Sequence, residues 1–141
     1  MKNRTIVFSK MINDSGIEIG IEHIKELYNL SINNINKNHS NLLKENKVII
    51  NNCDGRFGFE KYAPYKVIHV GASCIKIPDE LIKQLDNNGR MFIPIGGQFG
   101  NQWIYLIDKD NNGNISKKRV LLVNYIPLTS IDKQLENYKE N

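Results

Sequence analysis

The chain has 141 residues, 40% of them hydrophobic and 24% charged, with a formal net charge of +4. That length suits one domain with a real core, and the composition is globular, neither disordered nor membranous. No window reaches the roughly 18 apolar residues of a membrane span, and no basic segment followed by a long apolar stretch opens the sequence, so a soluble, cytoplasmic protein is expected.

The first eleven residues are ambiguous: Thr5, Ile6, Val7 and Phe8 suit a strand, yet an amphipathic helix fits equally. Residues 17–21 form a short β-rich run ending at Glu22. Ile24, Leu27, Tyr28, Ser31 and Ile35 then recur at helical spacing, one stripe of an amphipathic helix. A second strand, 47–50, closes at Cys53-Asp54-Gly55, and a polar loop follows over 56–64. Residues 65–70 read as a largely apolar third strand of the doubly covered kind. Pro78 suits the first turn of a helix running to Leu85, with Asp79 and Glu80 at its positive end. Gly89 is expected as the left-handed stop of that helix. Residues 90–95 form a fourth strand, after which 103–107 and 119–123 flank a turn at Asp110-Asn111-Asn112-Gly113, a hairpin signal. Residues 131–141 form a polar tail, and no linker divides the chain, so 1–141 reads as a single domain.

Strand–helix alternation followed by a hairpin predicts a doubly wound α/β sheet with an antiparallel edge. Ligands sit beyond the carboxyl ends of the parallel strands in such sheets, which directs attention to Glu22, Asp54 and Gly71. A carboxylate at Glu22 can accept hydrogen bonds from a ribose diol, or it can serve the start of the following helix. Asp54 can bind an adenine amino group, with Gly55 admitting close backbone approach, or it is a turn-forming Asp-Gly. His69, inside an apolar strand, reads as a core histidine. His23, His39 and His69 show no metal spacing, so no metal is expected. Cys53 and Cys74 are too few for a disulfide framework or a zinc site. Lys117, Lys118 and Arg119 read as a solvated strand end rather than a nucleic-acid patch. Nothing resembles a nucleophile elbow or a phosphate loop.

Residues 53–58, Cys-Asp-Gly-Arg-Phe-Gly, and 63–72, Ala-Pro-Tyr-Lys-Val-Ile-His-Val-Gly-Ala, resemble a signature of protein-L-isoaspartate O-methyltransferases. The similarity continues in register through Ile77-Pro78 and 81–85 to 88–96, starts upstream at 19–27, and ends at Tyr125-Ile126-Pro127-Leu128-Thr129. The resemblance implies a Rossmann-like fold with antiparallel C-terminal strands that binds S-adenosylmethionine and methylates the free carboxyl of L-isoaspartyl residues in damaged proteins. It assigns Glu22 to the ribose hydroxyls, with His23 beside it as a cofactor contact, and Asp54 and Gly55 to adenine. Val70, Gly71 and Ala72 would border the methionine part, and Pro127, Leu128 and Thr129 would wall the isoaspartyl peptide. The expected partners are such proteins or peptides, with no nucleic acid or membrane, and a monomer is expected.

The resembling family also has a glycine-rich loop after a first strand, and earlier loops that carry a hydroxyl residue for the substrate; this sequence starts past them. Its first three residues fall where that loop should end. The missing strand would lie between 17–22 and 65–70, so its loss would open a gap one strand wide, about 4.8 Å from each neighbour. A marginally stable, poorly active chain with unidentified catalytic residues is therefore expected. The rival readings are a catalytically inactive homologue that binds a partner protein, and a nicotinamide-dependent oxidoreductase. Asn88-Gly89 and Asn112-Gly113 are themselves candidate isoaspartate-forming sites.

Overall fold

The computed structural model describes residues 4–12, 16–97 and 100–139. Residues 1–3, where the end of a glycine-rich loop was expected, lie outside them. The chain divides into two compact units, Met1–Gly55 and Arg56–Asn141.

In the first unit, α1 (Arg4–Met11) resolves the ambiguity of the opening residues as a helix. It is followed by β1 (Glu18–Ile21), α2 (Lys25–Lys44) and β2 (Val48–Asn51). The two strands pair in parallel, Glu18 opposite Val48 and Ile21 opposite Asn51, joined by the helical crossover that parallel pairing requires. Ile35, Val48 and Ile50 are buried together, with Ile6, Tyr28, Ile32, Leu42 and Leu43 packed against them. The apolar stripe of α2 thus runs through Tyr28, Ile32 and Ile35, at four- and three-residue steps. Leu27, placed on that stripe by the sequence reading, is instead 40% exposed, because one residue turns the helix by about 100° away from Tyr28. At the end of α2, Asn46 adopts a left-handed conformation (φ 54°), the Lys47 amide bonds Leu42 O at 2.9 Å and the Asn46 amide bonds Leu43 O at 3.2 Å, the two bonds of a Schellman stop.

The second unit holds β3 (Tyr65–His69), α3 (Asp79–Gln84), β4 (Leu85–Ile95), β5 (Gln102–Lys109), β6 (Ile115–Val123) and α4 (Ile131–Lys139). Its four strands form one sheet in the order β3-β4-β5-β6. β3 and β4 are parallel, and the remaining pairs antiparallel. The expected antiparallel C-terminal strands and hairpin are both present. Alternate residues of β4 point to the core, where Met91 and Ile93 reach 0% exposure beside Leu81, Leu85 and Ile107.

The turn between α3 and the long part of β4 corrects one expectation. The left-handed residue there is Asn88 (φ 57°), not Gly89. Gly89 is needed for space instead: a Cβ on it would stand 2.6 Å from Asp86 O and 3.1 Å from Tyr65 O. Pro78 likewise sits just before the helix rather than in its first turn, with extended ψ of 128°. The carboxyl end of α3 is closed by Lys109, whose Nζ donates to Leu85 O at 2.8 Å and Ile82 O at 3.4 Å, a favourable cation at the negative end of a helix.

Candidate functional site

In a parallel pair both carboxyl ends lie at one edge, and in the first unit that edge carries Glu22 and the loop 52–55. The Glu22 amide bonds Asn51 O at 3.0 Å, continuing the ladder by one residue. Asn52 Nδ2 then donates to Glu22 O at 2.8 Å, tying the two chain exits together. The Glu22 residue is only 9% exposed, and its Oε1 accepts the Ile24 amide at 3.0 Å. One carboxylate oxygen therefore serves the entry to α2, the helix-start role that the sequence left open beside the ribose role. His23, next in the chain, is half-buried.

Asp54 and Gly55 return to the same edge. A Cβ on Gly55 would lie 3.8 Å from Ile21 Cγ2, so the loop after β2 runs in van der Waals reach of the residue preceding Glu22. Asp54 is half-buried, and after burial its negative charge is the second cause that raises the Cys53 thiol above its ordinary range. Two acidic residues and a glycine thus gather at one end of one small sheet. Beside them Asn51 Nδ2 is buried, and no hydrogen-bond partner for it exists among the described residues.

In the second unit the chain leaves β3 through Val70, which is buried, then Gly71, exposed, and Ala72, half-buried. Ser73, 2% exposed, anchors this exit. Its amide donates to Ile126 O at 2.8 Å, and its carbonyl accepts the Leu128 amide at 2.6 Å, a parallel bridge with Pro127. The structure therefore brings Val70, Gly71 and Ala72 together with Pro127, Leu128 and Thr129. Gln102, 1% exposed, supports the same segment: Tyr125 N donates to its Oε1 at 2.5 Å, and its Nε2 donates to Tyr125 O at 3.0 Å. Sequence reasoning missed Asn52, Ser73 and Gln102. Asn52 is exposed while Ser73 and Gln102 are buried, and their partners lie 23 to 53 residues away, beyond the reach of any local pattern.

The remaining candidates are structural. His69 stacks on Phe92, its partner across β3 and β4, with centroids 5.2 Å apart. Arg119 lies 4.4 Å over the Trp103 ring on the exposed strand β6, fitting a solvated strand. Burial pushes the Cys74 thiol up to about 11, which leaves it an inert core group. A concavity in the second unit, lined by Lys66, Arg90, Asp108 and Lys109 among others, opens at the amino end of β3, away from Gly71. It is a solvated charged groove spanned by the Arg90–Asp108 pair (2.6 Å). Among the described residues no cluster of His, Cys, Asp or Glu could hold a metal ion, and no helix is long and apolar enough to cross a membrane.

Comparison with known proteins identifies the family. The model of the protein-L-isoaspartate(D-aspartate) O-methyltransferase family matches residues 3–133. A protein-L-isoaspartate O-methyltransferase of Caenorhabditis elegans is 45% identical over 130 residues, 92% of this chain and 57% of that protein. Protein-L-isoaspartate O-methyltransferase 1 of Arabidopsis thaliana is 42% identical over 132 residues, 93% of this chain and 56% of its own length. The chain thus spans somewhat more than half the length of these relatives. Among solved structures, a candidate protein-L-isoaspartate O-methyltransferase of Plasmodium falciparum, in complex with S-adenosyl-L-homocysteine, superimposes with a TM-score of 0.75 at 31% identity, covering 89% of this chain and 58% of that one. A second methyltransferase structure, 22% identical, shares the fold with a TM-score of 0.77 over 96% of this chain and 42% of its own. With the family match running from residue 3 to residue 133, the chain belongs to the protein-L-isoaspartate(D-aspartate) O-methyltransferase family.

Proposed function

We propose that this chain serves a protein-L-isoaspartate O-methyltransferase, which transfers a methyl group from S-adenosylmethionine to the free carboxyl of L-isoaspartyl residues in damaged proteins. The observation that carries the reading is the gathering of Glu22, Asp54 and Gly55 at the carboxyl end of one parallel strand pair, inside a chain matched to the family over 131 residues, 3–133. We take residues 1–141 as one partial methyltransferase domain, with 131–141 as its tail, because the match crosses both units.

The residues present fit the cofactor. Glu22 keeps a carboxylate at the strand end with one oxygen already fixed by Ile24 N; the second would accept the ribose hydroxyls, with His23 beside it in the chain. Asp54 would accept the adenine amino group, and Gly55 has no side chain to obstruct the base. The buried, unpartnered amide of Asn51 is a further donor whose desolvation cost a polar ligand would relieve. In the second unit Gly71 exposes backbone where Val70 and Ala72 would border the methionine part, and Pro127, Leu128 and Thr129 would form the wall for the isoaspartyl peptide.

The cofactor supplies an activated methyl group with its own leaving group. The chain's residues therefore need to bind and align. A substrate carboxyl with a reference pKa near 4 is already ionised at neutral pH, so no general base is required, and alignment alone is worth several kcal/mol. Ser73 and Gln102 fit this role as the anchors that hold the strand exit and the substrate wall in register. We place the protein in the cytoplasm, as a monomer without membrane or nucleic-acid partners; two free thiols, Cys53 and Cys74, suit a reducing compartment.

The test is methyl transfer to a synthetic isoaspartyl peptide and its aspartyl twin, by this chain and by a form extended at its N-terminus with the segment its relatives carry. Labelling of the isoaspartyl peptide alone is expected, strongest with the extended form. Equal labelling of both peptides, or none by either form, would refute the reading.

A further inference from the structure

The two Asn-Gly pairs share a sequence but occupy opposite environments. Asn112-Gly113 lies at the tip of the turn joining β5 to β6, with both residues exposed. Gly113 has φ of 83°, and nothing lies within 4 Å of where its Cβ would be. The Asn112 side chain has no hydrogen-bond partner among the described residues. Its neighbours are held instead: Asp110 Oδ1 accepts the amides of Asn112 and Asn114, both at 2.8 Å, and the Gly113 amide donates to Asp110 O at 3.1 Å.

Asn88-Gly89 is locked. The Asn88 carboxamide nitrogen donates to Asn111 Oδ1, and Asn87 Nδ2 donates to Asn111 O at 3.1 Å. Gly89 is buried, paired with Lys109 in the β4–β5 ladder, and wedged against Asp86 O and Tyr65 O. Bringing its amide onto the Asn88 side chain would mean opening the sheet.

We propose that Asn112-Gly113 is a spontaneous modification site of the folded protein, converting through a succinimide to isoaspartate, while Asn88-Gly89 is protected by its packing. The Gly113 amide nitrogen attacks Asn112 Cγ. The new N–Cγ bond forms, the Cγ–Nδ2 bond breaks, and the nitrogen leaves as ammonia with the proton lost by the Gly113 amide. Water then opens the ring. Cleavage at the Cγ side yields aspartate, and cleavage at the main-chain carbonyl side routes the backbone through the side chain as isoaspartate. The Gly113 amide has to give up its contacts with Asp110, the carbonyl at 3.1 Å and the carboxylate, in a solvated turn, whereas Asn88 needs a sub-global opening. The Asp110 carboxylate, which braces the turn, acts as a brake.

The inference stands apart from the methyl-transfer reading, since no cofactor or assay of activity enters its test. The whole chain is aged in mildly alkaline buffer and mapped by peptide mass spectrometry with fragmentation that distinguishes isoaspartate. In the folded chain, conversion at Asn112 is expected to exceed that at Asn88 by more than about tenfold, the factor of a modest difference in opening free energy. In strong denaturant the two sites should convert at similar rates, because local sequence alone then governs. Equal conversion in the folded chain, or an Asn112 preference that persists undiminished in denaturant, would overturn the proposal. Asp110→Ala should accelerate conversion at Asn112 several-fold; an unchanged or slower rate would remove the brake assigned to Asp110.

Discussion

Replacing Gly58 with alanine should destabilise the second unit for two separable reasons. Gly58 sits at φ +63°, where an alanine is strained by about 1 kcal/mol. Its Cβ would also stand 2.3 Å from Gln84 Oε1, and Gln84 cannot simply move aside. That residue is 6% exposed, and it bridges the turn with both ends of its carboxamide: Phe59 N donates to its Oε1, and its Nε2 donates to Phe57 O, each at 2.8 Å. Displacing it forfeits two hydrogen bonds at about 1 kcal/mol apiece, so Gly58→Ala should cost about 3 kcal/mol in all. Gln84→Ala loses the same two bonds, plus about 1 kcal/mol for truncating a buried side chain. In the double variant the clash has no target and the bonds are counted once. The combined loss should then be about 4 kcal/mol rather than 6, a coupling of about 2 kcal/mol. Urea unfolding followed by the fluorescence of Trp103, the only tryptophan, reads this directly, since β5 belongs to the same unit. Additivity within about 0.5 kcal/mol would show that Gln84 does not clamp the turn.

Two further outcomes follow from buried polar groups. Burial raises the Glu18 carboxyl from 4.5 to about 7. The folded state therefore binds the extra proton, and stability should be full below about pH 4.5 and decline as pH rises through about 7. Glu18→Gln should abolish that decline, worth about 2 kcal/mol once solvent screening of a half-buried group is allowed for; parallel pH profiles for the two proteins, followed by far-ultraviolet circular dichroism, would contradict the assignment. Gln102→Leu should cost about 2–3 kcal/mol by stripping the Tyr125 amide and carbonyl of their bonds to Gln102. Amide exchange at Tyr125 should rise sharply, and unchanged protection there would mean that the segment 125–129 is held by other contacts.

What could be read in advance was what periodicity and local turn chemistry specify. The strand at 90–95, the Asp-Asn-Asn-Gly turn and the strand–helix order each depend on neighbouring residues, and each is present, although β4 begins already at Leu85. Contacts distant in sequence were not readable. Gly89 looked like a helix stop, yet a Cβ on it would run into Asp86 O and press on Tyr65 O of another strand, and the left-handed residue is its neighbour Asn88. Leu27 and Tyr28 are both apolar and adjacent, and only the position of β2 decides which of them faces the core. The same limit applies to the candidate site. The strand-end acids could be located from strand order, but whether Glu22 serves a helix or a ribose was open in the sequence, and one of its oxygens proves to serve the helix. Asn52, Ser73, Gln84 and Gln102 act through backbone groups more than twenty residues away, and no local pattern announces such bridges.

The central claim is that carboxylates capping successive parallel strands hold the nucleoside of the methyl donor. Calorimetric titration of S-adenosylhomocysteine into the N-terminally extended chain, against its Glu22→Gln and Asp54→Asn variants, tests it most directly. Each variant should weaken binding by about tenfold to a hundredfold, the value of losing a hydrogen bond to a charged group. Undiminished affinity in both variants, with the fold intact, would contradict the account.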